Sequence, residues 1–493
     1  MFRFCIKLVD NVYKYVIIEV LGVNKKMKSN LDFPIRIRKI ELKNFKNVQN
    51  GSIVFLKGKN KENCENVIGL YGANGSGKTT FVNALDILKS YLADEVLILP
   101  KINRETDFMD YFSIPYNTAE IITNFNIFIE DENIDVKYKL EFSVDSKNKK
   151  YGIKSEKLNF EYKSNKYELI FEGKNYKLNK NKKPILKNLY NNLKIFVESN
   201  EKQLYLHSAF FNDYFIRLLE NYNEKILHDV VWRLKIFAKF NMFVITNKQF
   251  GFVNLQMNIP LNFRYSKNRE ILQDNVRIHE EELISGRQSL DLRKPQQITI
   301  SFYEKLELIL EDINAILRRL IPNTIIEIIS NDCIMDETGE NGKLIELVTN
   351  RDGIKIPLRN ESTGILKLIS IIQTLIAYCT YDDIFVAIDE FDAGIFEYLL
   401  GDLLELLAEE GRGQLFFTSH NLRPLEVLNK NCIYFSTTNQ NNRYIKFVNV
   451  KNNNNLRDFY FRVIALGGQK EKVYNDHDMP GLRILLRNLY YNE

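Results

Sequence analysis

The stretch LYGANGSGKTTF, residues 70 to 81, decides the fold. It fits the pattern G-x-x-x-x-G-K-[ST], with an apolar run before it that predicts a strand and a periodic apolar run after it that predicts a helix. The glycines let the backbone wrap around phosphate oxygens, Lys78 neutralises the terminal phosphates, and Thr79 can ligate Mg²⁺. The N-terminus of the following helix adds unpaired N–H donors and a partial positive charge. The residues predicted to bind nucleotide here are Gly72, Ala73, Asn74, Gly75, Ser76, Gly77, Lys78, Thr79 and Thr80.

A second stretch, DDIFVAIDEFDAG at residues 382 to 394, predicts the acidic strand of the same site. Its apolar run is typical of a buried parallel strand, whose carboxyl end faces the ligand crevice. Two adjacent carboxylates, Asp389 and Glu390, follow at that end. We predict that Asp389 holds Mg²⁺ through water and that Glu390 polarises the attacking water. The alternative, a strand that ends in a solvated acidic turn, is less favoured because the phosphate loop is in the same chain.

A third stretch, GQLFFTSHN at residues 413 to 421, is another apolar strand, and it leads to His420. A histidine at a strand end beside a phosphate site can hydrogen-bond the γ-phosphate or the attacking water. His420 is therefore predicted to act in catalysis. The remaining histidines are interpreted as ordinary surface or core residues.

The order of these motifs, with ESTGILK at residues 361 to 367 before the acidic strand, resembles the ABC-class ATPases of the RecF, SMC and OLD branch. The opening stretch at residues 35 to 55 is similar to the first hairpin of that branch. The resemblance implies that Ser362 and Gly364 form a signature that closes over ATP held by a second copy, so that hydrolysis requires a head-to-head dimer. It also places Asp392 where the family has a dimer-contact aspartate. The sequence departs from the family in lacking the full L-S-G-G-Q signature and a recognisable lid-loop glutamine.

The fold class expected from the motifs and the resemblance is α/β: a P-loop ABC-type ATPase head with an antiparallel β arm and an inserted helical arm or lid. Strand-rich runs after the P-loop helix predict the β arm, and later helical runs predict the helical arm. The length of 493 residues exceeds what one core usually fills. The predicted divisions are an N-terminal extension at 1–34, the first half of the head at 35–180, the helical insertion at 181–335, the second half of the head at 336–450 and a C-terminal tail at 451–493.

Composition favours a globular protein of the reduced cytoplasm. Hydrophobic residues make up 45% of the chain and charged residues 27%, which are globular values. The net charge of +5 permits a local basic patch but does not by itself indicate a nucleic-acid partner. The five cysteines form no C-x-x-C pair, so neither a zinc site nor a disulfide framework is expected. No uninterrupted apolar run of membrane-spanning length is recognised, so no membrane partner is expected.

Two further stretches carry charged residues that suit a binding site. Asp476 and Asp478 in NDHDMPG lack the strand and the glutamate of a metal-binding nuclease domain, and a solvated loop is predicted. The basic stretch at residues 179 to 194 suits phosphate contacts, but a solvated loop is favoured because no base-reading motif accompanies it.

The resemblance implies a cytoplasmic switch that uses ATP and Mg²⁺, in which ATP binding clamps two heads and hydrolysis to ADP and phosphate releases them. No second catalytic centre is recognised, so the effector is expected to be a separate protein such as a nuclease, with DNA or a phage protein as the trigger. The short arm resembles that of anti-phage defence ATPases of the AriA type in PARIS or the PtuA type in Septu. Two alternatives stay open: a RecF-like ATPase of DNA repair or DNA-end binding, and a nucleotide-binding scaffold without turnover.

Overall fold

The structure is a computed structural model that describes twelve stretches of the chain. They are residues 35–55, 66–94, 117–129, 132–145, 150–172, 175–184, 208–246, 252–256, 287–335, 339–450, 455–475 and 478–491. The predicted N-terminal extension, the part of the basic stretch after residue 184, and Asp476 lie outside these residues.

The described residues alternate between long antiparallel strands, short buried strands and helices. The strands are β1 (Ile35–Phe45), β2 (Val48–Val54), β3 (Val67–Tyr71), β4 (Thr118–Ile129), β5 (Glu132–Asp145), β6 (Lys150–Tyr162), β7 (Asn165–Glu172), β8 (Asn175–Lys180), β9 (Lys183–Pro184), β10 (Met242–Ile245), β11 (Phe252–Gln256), β12 (Arg287–Asp291), β13 (Gln296–Thr299), β14 (Thr324–Ile334), β15 (Asn341–Arg351), β16 (Ile354–Pro357), β17 (Phe385–Ile388), β18 (Gln414–Thr418), β19 (Ile433–Ser436) and β20 (Tyr444–Ile445). The α-helices are α1 (Lys78–Ala93), α2 (Asp213–Asn221), α3 (Lys225–Ile236), α4 (Ile300–Leu320), α5 (Thr363–Thr380), α6 (Glu397–Glu410), α7 (Pro424–Val427), α8 (Leu456–Leu466) and α9 (Met479–Tyr491).

The three strands that lead into the predicted motifs, β3, β17 and β18, belong to one six-stranded sheet. Its order is β10-β17-β18-β3-β19-β20, and its pairs are parallel except for the last. Every residue of β3, β17 and β18 is buried, as expected for parallel strands covered on both faces. Because β18 lies between β3 and β17, the phosphate loop, the acidic pair and the TSHN turn all leave the same edge of the sheet. Strands distant in sequence therefore meet at one crevice.

An eight-stranded antiparallel sheet forms the predicted β arm, in the order β2-β1-β4-β5-β6-β7-β8-β9. Alternate residues of β4 are buried, so one face of that strand packs on the core and the other is less covered. The apolar residues of α1 belong to the same hydrophobic cluster as β1, β4 and β5. The α/β head with an antiparallel arm predicted from the sequence is thus confirmed.

The segment predicted as a helical insertion contains the expected helices α2, α3 and α4, but it also contributes strands. After α3 the chain forms a π-helix, Phe237–Asn241, and then β10, which is the edge strand of the six-stranded sheet beside β17. Met242 pairs with Phe385 and Ile245 with Ile388 in that register. The four residues of β10 follow a long helical pattern, so the sequence gives no separate signal for a strand.

Helix α4 packs on a second antiparallel sheet formed by β13, β15, β14 and β16. Apolar residues of α4 and of this sheet form one hydrophobic cluster. The N-terminal half of α5 contributes to the same cluster through Leu366, Ile369 and Ile372. The opposite side of α5, including Leu368 and Ile371, packs into the cluster of the six-stranded sheet. Helix α5 therefore joins this smaller layer to the head.

Helix α5 bears on the expectation that the chain has no apolar run of membrane-spanning length. Of the described helices, it alone is long and apolar enough to cross a membrane by length and composition, with a mean hydropathy of 1.5. Sixty-seven per cent of it is buried inside the protein, and a buried core helix meets the same criterion.

Candidate nucleotide-binding site

The phosphate loop lies between the end of β3 and the start of α1. Gly77 has a φ of 95° and directly precedes α1, a backbone conformation that glycine adopts without strain. A Cβ at Gly72 would overlap Ser436 Oγ, so the backbone passes that point only because Gly72 has no side chain. The free N–H groups of the first turn of α1 therefore open on the loop, as phosphate binding requires.

Lys78 lies buried at the base of the loop. Its ammonium donates hydrogen bonds to the carbonyl oxygens of Gly72 at 2.7 Å and Ala73 at 3.0 Å. Burial lowers the pKa of Lys78 to about 8, and the charges of Asp389, Asp392 and Glu390 oppose that shift. An anionic phosphate in the loop would favour the charged ammonium further.

Asp389 joins the phosphate loop to the central strand. Its carboxylate accepts a hydrogen bond from Thr418 Oγ1 at 2.6 Å. Burial raises the pKa of Asp389, while the nearby hydroxyl groups of Thr418 and Thr79 partly offset the shift. A buried carboxylate beside a threonine hydroxyl and a phosphate loop is a donor set that suits a hard cation with oxygen ligands, such as Mg²⁺.

Glu390 is held in an uncommon backbone conformation beside Asp389. Its φ is 46°, a left-handed value that costs a non-glycine residue about 1 kcal/mol. Its backbone N–H donates to Thr418 Oγ1 at 2.7 Å, and its carbonyl accepts from Ala393 N at 2.9 Å and from Lys367 Nζ. Both sides of its backbone are thereby fixed, and its side chain is partly exposed. Such local strain is typical of functional sites.

Asp392 and His420 form the third side of the crevice. Asp392 Oδ2 accepts backbone hydrogen bonds from His420 at 3.1 Å and Asn421 at 2.9 Å. The carboxylate of Asp392 thus holds the TSHN turn of its own chain, and its predicted dimer contact stays a prediction. Desolvation and the charge of Lys78 lower the pKa of His420, so its imidazole is neutral at pH 7.

The signature residues lie at the N-terminus of α5. Ser362 is the N-cap, and its hydroxyl accepts a hydrogen bond from Ile365 N at 3.3 Å. Ser362 and Thr363 are exposed, whereas Gly364 is buried against Gly394, where a Cβ would overlap the Gly394 carbonyl oxygen. The first turn of α5 is therefore packed on the turn that follows Glu390 in the same chain, with its N-cap facing outward.

Sequence reasoning missed the residues that brace the phosphate loop from outside. Asn47, in the β1–β2 turn, donates to the Gly75 carbonyl and accepts from Thr80 Oγ1 at 2.8 Å. Tyr444 donates to the Gly77 carbonyl at 2.7 Å, and Ser436 Oγ lies 2.5 Å from Ser76 Oγ. The hydroxyl of Thr80, predicted to serve the nucleotide, thus points at Asn47. No motif marks these positions, because they meet the loop only through the tertiary fold.

Comparison with known families identifies the chain. The model of a family described as "AAA domain, putative AbiEii toxin, Type IV TA system" matches residues 67–426, which span all three motifs. The chain belongs to this family. It is a P-loop ATPase-domain protein. No protein with a curated function matches the sequence.

Solved structures with similarity to this ATPase are distant. The SmcHead bound to the C-winged helix domain of ScpA shares 14% identity, with 83% of this chain and 97% of that chain covered and a TM-score of 0.39. The SMC head domain from Thermotoga maritima shares 13% identity over 84% and 99% of the two chains, with a TM-score of 0.35. The recombination mediator RecF-ATPrS of the RecFOR pathway shares 12% identity over 78% and 92%, with a TM-score of 0.32.

Proposed function

We propose that this ATPase binds ATP with Mg²⁺ in the described crevice, dimerises head to head around it, and uses hydrolysis to control a separate effector. The observation that carries the catalytic part is the position of Asp389. Its carboxylate accepts a hydrogen bond from Thr418 at the end of β18 and lies near enough to the Thr79 hydroxyl of the phosphate loop for that group to lower its pKa, so the predicted metal ligands are neighbours. Glu390 follows directly, with its backbone fixed.

The proposed reaction divides the work among five residues. Lys78 and the N-terminus of α1 bind the terminal phosphates, and Thr79 and Asp389 hold Mg²⁺, which when bound neutralises charge on those phosphates. Glu390 orients the attacking water and accepts its proton. Neutral His420 donates a hydrogen bond to the γ-phosphate from the third side of the crevice.

The proposed dimer follows from the position of the signature. Ser362 and Thr363 present hydroxyl groups and the start of a long helix to solvent, which suits an anionic phosphate. The close packing of Gly364 on Gly394 fixes the position of that helix end. The phosphate we assign to it is the γ-phosphate of ATP bound to a second copy, so each dimer has two shared sites.

We assign the switch to anti-phage defence, as in systems of the AriA or PtuA type. Support comes from the family description, which includes the words "putative AbiEii toxin, Type IV TA system". A direct test is phage challenge of cells that carry the gene with its neighbours. Protection is expected, and Lys78→Ala should abolish it. Equal plaque numbers with and without the genes, or protection that survives Lys78→Ala, would contradict this assignment.

A second candidate, a DNA-end-binding ATPase of the RecF type, is favoured by a cluster of lysines on the β arm. The β6–β7 turn carries Lys163, and Lys166 follows it in β7. The β8–β9 turn carries Lys182. The two turns lie side by side, because Asn181 Oδ1 in the second accepts a hydrogen bond from Lys166 N at 2.8 Å. All three of these lysines are exposed. Such a surface suits phosphate backbones.

The DNA candidate has its own measurement. Binding of a labelled duplex, followed by fluorescence anisotropy in increasing salt, should weaken when Lys163 and Lys182 are both changed to Glu. The same exchange at Lys294 and Lys470, which are exposed elsewhere, serves as the control. Equal binding by both double variants would exclude this surface.

A further inference from the structure

Lys367 is a buried cation that has no role in the proposed reaction. It lies in the second turn of α5, is only 1% exposed, and is among the largest fully buried side chains. A buried ammonium is costly unless it is compensated by charge and hydrogen bonds. Lys367 obtains that compensation from the acidic turn, where its ammonium donates to the Glu390 carbonyl and lies near the charges of Asp392, Glu390 and Asp389.

The hydrogen bond from Lys367 is made to the backbone of Glu390, which is constrained on both sides. Glu390 has a left-handed φ of 46°, and Thr418 holds its N–H from the side of the central sheet. Lys367 holds its carbonyl from the side of α5. Removing the ammonium would leave the carbonyl with Ala393 N as its remaining described partner and would release one side of the strained turn.

The same helix also meets the end of that turn. A Cβ at Gly364 would overlap the Gly394 carbonyl, and one at Gly394 would lie 2.8 Å from the backbone of Gly364. The N-terminal part of α5 therefore contacts the stretch from Glu390 to Gly394 in two ways. One is the hydrogen bond from Lys367 to the Glu390 carbonyl, and the other is the close backbone packing of Gly364 on Gly394. These two contacts are the physical link between the start of α5 and Glu390.

We propose that Lys367 is a positioning residue that couples the signature of each chain to Glu390 of that same chain, and so couples the two ATP sites of the dimer. This inference rests on the proposed function. In that dimer the signature contacts ATP held by the partner, whereas Glu390 acts on ATP held by its own chain. Lys367 therefore links occupancy of one site to chemistry in the other.

The test compares Lys367→Met and Lys367→Gln with wild type and with the exposed-lysine control Lys470→Met. Steady-state ATP hydrolysis is measured against ATP concentration, and ATP affinity is measured separately with a fluorescent nucleotide. Lys367→Met should keep ATP affinity, lose about 10- to 100-fold in kcat, and lower the Hill coefficient towards one. Lys367→Gln retains an amide donor and should fall between Lys367→Met and wild type.

The outcomes separate this inference from the proposed function. Wild-type kcat and an unchanged Hill coefficient in a folded Lys367→Met dimer would overturn the role of Lys367 and leave the ATPase assignment standing. If Lys367→Met does not fold, Lys367→Gln decides, and wild-type cooperativity there has the same consequence. A wild-type protein that hydrolyses ATP as a monomer would overturn the proposed dimer and the coupling with it.

Discussion

Thr418 Oγ1 lies 2.6 Å from Asp389 Oδ1 and donates a hydrogen bond to it. The same oxygen accepts the Glu390 N–H at 2.7 Å, so one hydroxyl fixes both members of the acidic pair. Thr418 ends the strand between β3 and β17, which is the position from which a single side chain can reach the metal ligand and the proposed base together.

We expect Thr418→Val to lower kcat by about 10- to 100-fold, because loss of the hydroxyl frees the carboxylate of Asp389 and the backbone of Glu390. ATP affinity should change little, since Lys78 and the loop amides are untouched. Thr418→Ser, which keeps the hydroxyl, is the matched control and should retain most activity. Equal kcat values for the Val and Ser variants would show that the hydroxyl has no part in turnover.

Asn47→Ala should weaken ATP binding without removing any group assigned to the nucleotide. Asn47 ties the β1–β2 turn to Gly75 and Thr80, and the loss of these hydrogen bonds should cost about 1 to 2 kcal/mol, which is about a 5- to 30-fold loss of affinity. Gln49→Ala is the control, since Gln49 lies two residues further on in β2 and its side chain bonds Gln440. Titration with a fluorescent ATP analogue measures both variants, and equal affinities would contradict a bracing role.

Stability should fall with rising pH because of Glu156. This fully buried carboxyl group bonds Tyr138, Ser208 and the backbone of Ala209, and burial raises its pKa to about 7. The unfolded chain releases this proton near pH 4.5, so the folded state binds more protons between pH 4.5 and 7, and the free energy of unfolding decreases over that window. The loss amounts to about 3 kcal/mol.

The measurement is urea denaturation of wild type and Glu156→Gln from pH 5 to pH 8. Glutamine resembles the protonated acid and has no titration of its own, so the variant should lose less stability over this range than wild type. Parallel curves for the two proteins would show that Glu156 does not carry the pH dependence.

Purified protein should leave duplex DNA and transfer RNA intact in the presence of Mg²⁺ or Mn²⁺. Asp478, one of the two acidic residues of NDHDMPG, accepts a hydrogen bond from Gly481 N at 2.8 Å and so caps the start of α9. Its carboxylate thus has a structural partner. Metal-dependent cleavage that is lost in Asp478→Asn but kept in Lys78→Ala would place a nuclease centre in the tail.

The sequence predicts the parts of this protein that depend on local chemistry. Phosphate loops and acidic strand ends have residue patterns that follow from their local backbone, so Lys78, Asp389 and His420 could be named and placed at one edge of a sheet. The antiparallel arm also follows from alternating apolar residues, as in β4.

What the sequence could not predict depends on contacts between distant segments. Asn47 and Tyr444 lie far apart in the chain, and only the folded structure brings both to the phosphate loop. The strand β10 is four residues long and follows a π-helix, so its apolar pattern is indistinguishable from the end of the preceding helix. Lys367 lies in an apolar helix, and its partner becomes visible only when α5 packs on the turn after Glu390.

The most direct test of the account is ATP turnover and sedimentation of Glu390→Gln beside wild type, Lys78→Ala and the exposed control Glu409→Gln. Glu390→Gln should bind ATP, lose turnover by about 100-fold or more and sediment as a dimer with ATP, because the nucleotide is held but the water is not activated. Lys78→Ala should neither bind ATP nor dimerise, and Glu409→Gln should match wild type. Wild-type turnover in Glu390→Gln, or full activity from a protein that stays monomeric with ATP, would contradict the account.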